Sequence, residues 1–260
     1  MSLSIARKEL SRLGRPRVDC ALALALSAGT YVLRSSDAKT GNRLLEALSP
    51  ESIERLQPHF EPFALVVAEP VEPTEHVYFP LVGMISVVAT MQDGNSVEIG
   101  MIGREGMCSV SAILSDDTPF QNAMVQLPGS ALRLKTRLLR DAMHEDDALR
   151  RRLLRYIQAT LSAVSQSAAC NRLHLLEQRC ARWLLACHDR AEADKFPMTH
   201  EFLAMMLGVR RPGVTLAARA LQESALITYN HGTMTVVDRQ GLEAASCECY
   251  LVIRDEFARL

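Results

Sequence analysis

The 260-residue chain lacks the cysteine pattern of a small secreted domain, because its seven cysteines are odd in number, scattered, and form no disulfide framework. A reducing cytoplasm is the simpler setting. An apolar run long enough to cross a bilayer is also missing. Cys20–Leu26 follows Arg7, Lys8, Arg12, Arg15 and Arg17 as in a secretory signal, but it is too short to span a membrane as a helix. No membrane partner is expected, and residues 1–41 read as a poorly ordered extension or an overlong start. Nucleophile–base and ligand-motif spacings are absent too, which argues against an enzyme and against a cofactor. The net charge of -1 shows no overall basic excess for a nucleic-acid partner.

The charge distribution says more than the total. Residues 42–136 carry 5 basic and 12 acidic side chains, net -7, whereas residues 137–237 carry 14 and 10, net +4. A local basic face is all that phosphate attraction needs, so an acidic half followed by a basic half fits a sensor joined to a DNA-binding module. Solvated helix faces account for the same pattern.

The most organised stretch runs from Thr199 to Val237. Thr199 suits a helix N-cap, and Phe202, Leu203, Met206 and Leu207 recur at the spacing of one apolar helix face, which Gly208 ends. Arg210-Arg211-Pro212 then opens a second helix with Val214, Ala217, Ala218 and Leu221 as its apolar row. Two short helices about a Gly-containing turn predict a helix-turn-helix. Beyond Ile227 the period becomes two, and Thr228-Tyr229 and Met234–Val237 flank the hairpin-type turn Asn230–Thr233, a wing.

Gly208 to Ile227 resembles, without a gap, the DNA-binding end of the Crp/Fnr superfamily of bacterial transcription regulators. The resemblance implies that the second helix reads the major groove through an Arg, the next residue and the residue five positions after that Arg. Those positions hold Arg211, Pro212 and Leu216 here, so only the first keeps the family chemistry and the family's usual operator is not implied. Arg211 suits a guanine edge, and Thr215 and Leu216 suit a thymine methyl. Thr199, His200, Arg210 and Arg219 suit phosphates.

The segment from Asn42 to Thr136 resembles, more loosely, the family's cyclic-nucleotide-binding-type domain. Leu44, Leu45, Leu48, Ile53 and Leu56 have helical spacing, broken and capped at Ser49-Pro50. Phe63–Ala68, His76–Phe79, Met84–Met91 and Ser96–Met101 then read as short strands of a jelly roll or similar barrel, with Asp93-Gly94 as a hairpin turn. Gly103–Gly106 reads as a turn between strands rather than a phosphate loop. Relatives that bind cyclic AMP hold its ribose with a Gly-Glu pair and its phosphate with an Arg-Ser or Arg-Thr pair. This chain has Cys108-Ser109-Val110-Ser111 and Gln121-Asn122-Ala123 instead. Without a charge-assisted partner for the phosphate, cyclic AMP is not the expected effector, and the small molecule sensed is unknown.

Beyond Arg137 the helical period returns. Leu154, Ile157, Leu161, Val164 and Ala168 form a narrow seam at three-four spacing, expected to pair two chains, while Leu149, Leu153 and Tyr156 form a row suited to packing on the barrel. A helix lying wholly on its own domain is the alternative. Leu175–His188 reads as the first helix of the DNA-binding domain, and residues 189–198 as a polar connection. Iron–sulfur relatives carry an N-terminal cysteine cluster, and Cys20 stands alone there. Cys170, Cys180 and Cys187 read as small core residues. On a helix, Cys247 and Cys249 would point about 200° apart, so no metal site is expected.

The fold expected is therefore α+β: a β jelly-roll or barrel sensor (42–144), a dimerisation helix (145–170), a winged helix-turn-helix (171–240) and a helical C-terminal segment (241–260). The function expected is sequence-specific transcription regulation of Crp/Fnr type, with double-stranded promoter or operator DNA, a second copy of the chain and RNA polymerase as partners. A ligand-sensing module that acts through a protein partner, without specific DNA binding, is the other reading, because Pro212 and Leu216 replace polar base readers.

Overall fold

Asn42 ties the start of the sensor to its sheet. Its Oδ1 accepts the Leu45 amide at 3.1 Å and caps a one-turn helix α1 (Arg43–Glu46), and its Nδ2 donates to the carbonyls of Pro80 and Gly106, both at 2.9 Å. The computed structural model describes residues 40–260 except 68, 72–74, 115–120 and 192, so the expectations for residues 1–39, Cys20 included, lie outside the described residues. Ser49 caps α2 (Pro50–Leu56) with Pro50 in its first turn, as the Ser-Pro break predicts.

The sensor is an antiparallel roll of β1 (Glu61–Leu65), β2 (Pro70–Val71), β3 (His76–Thr90), β4 (Ser96–Ile102) and β5 (Gln121–Lys135), in the order β1-β5-β3-β4 with β2 also on β5. The strands expected at His76–Phe79 and Met84–Met91 are one 15-residue strand. Its pairing with β5 shifts register between Pro80 and Ile85, where Gly83 adopts φ +90° and a Cβ would strike the Leu127 and Pro128 carbonyls. That bend lets one strand serve two faces of the roll. The turn at Gly103–Gly106 leads from β4 into a short helix α3 (Val110–Leu114), not into another strand.

After α4 (Thr136–Glu145), Asp146 starts the long helix α5 (Asp147–Leu173). One oxygen of Asp146 accepts the Ala148 and Leu149 amides at 2.9 and 3.0 Å, and the other accepts the Ser52 hydroxyl at 2.6 Å. Leu149, Leu153 and Tyr156 are buried against the roll, the row the spacing predicts, and the Tyr156 hydroxyl donates to the Met107 carbonyl at 2.8 Å.

The C-terminal part comprises α6 (Leu176–Ala191), β6 (Lys195–Pro197), α7 (His200–Leu207), α8 (Arg211–Glu223), β7 (Ile227–Asn230) and β8 (Thr233–Val236). Thr199 caps α7 by accepting the Phe202 amide at 3.0 Å, and Gly208 ends it with φ +64°. His231 and Gly232 both take positive φ at the wing tip, as a tight two-residue hairpin requires. Within the segment expected as a polar connection, α6 extends to Ala191 and β6 pairs with β8 as a third strand of the wing sheet. Of the two last helices, α9 (Arg239–Ala245) packs on α6 and α10 (Cys249–Ala258) turns back along α5, where Phe257 meets the Tyr156 ring at 6.1 Å and the Arg152 guanidinium donates to the Leu260 carbonyl.

Candidate nucleic-acid interface and sensor cavity

The face of α8 follows from its period. Val214, Ala217, Ala218 and Leu221 are buried, so Arg211, Thr215, Leu216 and Arg219 stand outward, with Leu216 67% exposed. The helix begins at Arg211 with Arg210 as its N-cap residue, and Pro212 lies in the first turn, where its missing N–H costs nothing. Arg211 is largely exposed, with its Nε 3.8 Å from the Glu201 carboxylate. Arg219 pairs with Glu223 at 2.8 Å across one helical turn.

His200 holds three elements of this surface together. Its ring stacks on Tyr229 of the wing with centroids 4.1 Å apart, and its Nδ1 lies 3.2 Å from the Thr215 hydroxyl of α8. Burial, with Arg211 nearby, lowers its pKa below the usual histidine value, which favours the neutral ring. The Thr199 hydroxyl is engaged as the α7 cap. Of the sequence-predicted residues, Thr199, His200, Arg210, Arg211 and Thr215 lie at the starts of α7 and α8, while Leu216 and Arg219 lie further along the exposed side of α8.

A cavity of about 340 Å³ lies where β4, β5, α3, α5 and α6 meet. Glu98, Ser109, Asn122, Thr160 and Trp183 are among its lining residues. Ser109 is buried with φ +81°, and its hydroxyl lacks a hydrogen-bond partner among the described residues. A non-glycine residue held in that conformation is locally strained, and such strain often accompanies a binding function. Glu98 accepts the Ser86 hydroxyl at 2.7 Å and the Trp183 indole N–H at 2.9 Å. Burial pushes its carboxyl up to about 7 against those two hydrogen bonds and the nearby Arg182 and Arg190.

Residues 178–245 match the Crp-like helix-turn-helix domain. A Crp/Fnr-family regulator from Eubacterium rectale has a similar structure, with TM-score 0.64, 15% identity, and 80% of this chain and 99% of that chain covered. FixK2 from Bradyrhizobium japonicum follows at TM-score 0.61 and 18% identity, covering 72% and 98% of the two chains. CLP from Xanthomonas campestris gives TM-score 0.58 and 17% identity, covering 72% and 99%. The chain has the fold of Crp/Fnr-family regulators. No curated protein matches its sequence.

In this Crp/Fnr-type frame the expected nucleotide positions other than Gln121 surround one cavity. Cys108, Ser109, Val110, Ser111, Asn122 and Ala123 all line it, and none of them carries a charge. The Crp-like domain closes the cavity from the other side. Trp183 reaches Glu98, and Arg190 of α6 pairs with Glu105 at 2.5 Å, with both side chains 11% exposed. These contacts join residues 85 apart in sequence, and no local pattern foretells them. Cys180 is buried in the core, as expected, and burial pushes its thiol up to about 12. Cys187 is likewise buried and its thiol raised. The expectation that Cys247 and Cys249 share a helix does not hold: α9 ends at Ala245 and Cys247 lies in the connection before α10. No helix among the described residues is long and apolar enough to cross a membrane.

Proposed function

We propose that this chain is a sequence-specific, DNA-binding transcription regulator that acts as a homodimer and places α8 in the major groove. The observation that carries the reading is the outward row on α8. Arg211, Thr215 and Arg219 recur one turn apart on the exposed side of a helix whose other side is fully packed, with the wing alongside. Arg211 suits a guanine edge, Thr215 and Leu216 a thymine methyl, and Thr199, Arg210 and Arg219 phosphates. His200, held between Thr215 and Tyr229 with its Nε2 buried, supports this surface rather than reaching DNA itself.

Two copies pair along α5. Leu154, Leu161 and Val164 are 48%, 59% and 39% exposed on the single chain, an apolar stripe of the kind that a second helix covers. Ile157 and Ala168 complete the seam. A small molecule in the cavity between roll and Crp-like domain sets the activity, and the uncharged positions at Ser109–Ser111 and Asn122 disfavour cyclic AMP. CLP, a c-di-GMP-responsive regulator, shows this fold used with another effector. Cytoplasmic residence and contact with RNA polymerase follow from the regulatory role.

Selection of binding sites from random double-stranded DNA tests the reading. Enrichment of a palindrome with half-sites about one helical turn apart is expected. If no sequence is enriched, the exposed Leu216 and Pro212 mark a surface for a protein partner instead.

A further inference from the structure

The end of the long helix and the last connection of the chain bring four metal-ligating side chains together. Cys170 lies in the final turn of α5 and His174 is its C-cap residue, four positions on and on the same side. Cys247 and Cys249 come from the connection after α9 and the first residue of α10. All four ligand atoms lie within 4.8 Å of one another. The Cys170 and Cys247 sulfurs are 3.5 Å apart, and the Cys249 sulfur is 3.5 Å from His174 Nδ1. The three cysteines are buried and form a cluster of their own.

We propose that Cys170, His174, Cys247 and Cys249 form a tetrahedral Cys3His zinc site that fastens the end of α5 to the α9–α10 connection. Zinc–sulfur bonds of about 2.3 Å and zinc–nitrogen bonds of about 2.0 Å place tetrahedral ligand atoms roughly 3.5 to 3.8 Å apart. Two pairs are already at that spacing, and the rest, all within 4.8 Å, need adjustments of at most about 1 Å. Three sulfurs and one imidazole suit zinc better than magnesium or calcium, which take oxygen ligands.

The surroundings are those of a metal site as well. His174 turns Nδ1 to the cluster while its Nε2 lies 3.2 Å from the Glu248 carboxylate, the partner that fixes the tautomer of a ligating histidine. Gln166 donates to the Cys249 sulfur at 3.0 Å. Zinc with three thiolates and a neutral imidazole carries one net negative charge. Arg179 and Arg182, each 9% exposed and each with an Nε lacking a hydrogen-bond acceptor among the described residues, supply positive charge beside it. Zinc binding converts three thiols to thiolates and releases their protons to solvent, with no change of oxidation state. The site does not depend on whether α8 binds DNA.

The experiment uses the full chain, purified under reducing conditions, reconstituted with Zn2+ and freed of excess metal before elemental analysis. One zinc per chain is expected, and Co2+ in its place gives the intense visible absorption of a tetrahedral thiolate complex. Cys247→Ser and Cys249→Ser lose the bound ion or the cobalt spectrum. Because a cysteine variant can fail to fold, Glu248→Gln, at a 69% exposed side chain, provides a second reading, with zinc affinity lowered roughly 10- to 100-fold and the fold intact by circular dichroism. Cys180→Ala, outside the cluster, keeps one zinc. The proposal is overturned if the reconstituted parent holds no zinc and gives no cobalt spectrum, if Cys247→Ser keeps the parent's stoichiometry and spectrum, or if a Cys170–Cys247 disulfide replaces the ion.

Discussion

Trp183 of the Crp-like domain donates its indole N–H to Glu98 of the sensor strand β4 at 2.9 Å, so the two domains meet at a partly buried carboxyl group. Ser86 touches both Glu98 and Gln126 through one hydroxyl oxygen. A hydroxyl has a single proton, so it can donate to only one of those two acceptors. When Ser86 donates to Glu98 the Gln126 oxygen beside it is left without that proton, so the group is crowded with acceptors and favours a raised Glu98 pKa.

That arrangement fixes a pH dependence. With its folded pKa raised from 4.5 to about 7, Glu98 holds a proton in the folded chain that the unfolded chain gives up. Its stabilising contribution is complete below about pH 4.5 and is lost as pH rises through 7, a swing of roughly 3 kcal/mol. Glu98→Gln mimics the protonated form. Urea denaturation is expected to show the variant close to the parent at pH 5 and about 1 to 3 kcal/mol more stable at pH 8. Lower stability of the variant at pH 8 contradicts a raised Glu98 pKa.

The dimer reading rests on a face that the isolated chain leaves uncovered. Leu161 is 59% exposed at the centre of the α5 stripe. Leu161→Asp sets a charge between paired helices at a cost of a few kcal/mol. Sedimentation velocity should then show monomer where the parent is dimer, and an unchanged dimer places the interface elsewhere.

Which parts of this molecule are legible in the sequence depends on how local their causes are. The helix-turn-helix and wing were readable because Thr199, Gly208, Pro212 and the Asn230–Thr233 turn each act within a few residues. Strand β5 was not recognised, because Pro128 and Gly129 interrupt its alternation at the point where it bends with β3. Strand β6 is three residues long and gains its partner from β8, nearly forty residues on. The cysteine cluster joins positions 75 and 77 apart, and the helix assumed through Cys247 placed that side chain on the wrong side. The outward row of α8 was legible as a pattern, whereas the bracing of His200 by Tyr229 required the fold.

The cavity makes a chemical prediction. A cyclic phosphate buried beside Ser109 and Asn122 finds hydroxyls and an amide where relatives that bind cyclic AMP place a guanidinium. Titration calorimetry of the full chain with cyclic AMP is expected to give no saturable heat at micromolar ligand. Saturable binding there contradicts the prediction and points to the arginines that also line the cavity, Arg182 and Arg190 among them.

The central claim, that α8 reads DNA sequence, is tested most directly by a ratio of affinities. Fluorescence anisotropy at fixed salt compares the selected operator with a scrambled duplex for the parent, Arg211→Ala and Arg219→Ala. Arg219→Ala is expected to weaken both duplexes alike and to lower the salt slope by about two per dimer, because it removes one phosphate contact per subunit. A bidentate arginine–guanine pair contributes roughly 1 to 3 kcal/mol of discrimination, so Arg211→Ala should lower the operator-to-scrambled ratio by about 5- to 150-fold per half-site. An Arg211→Ala ratio equal to the parent's contradicts base reading by α8.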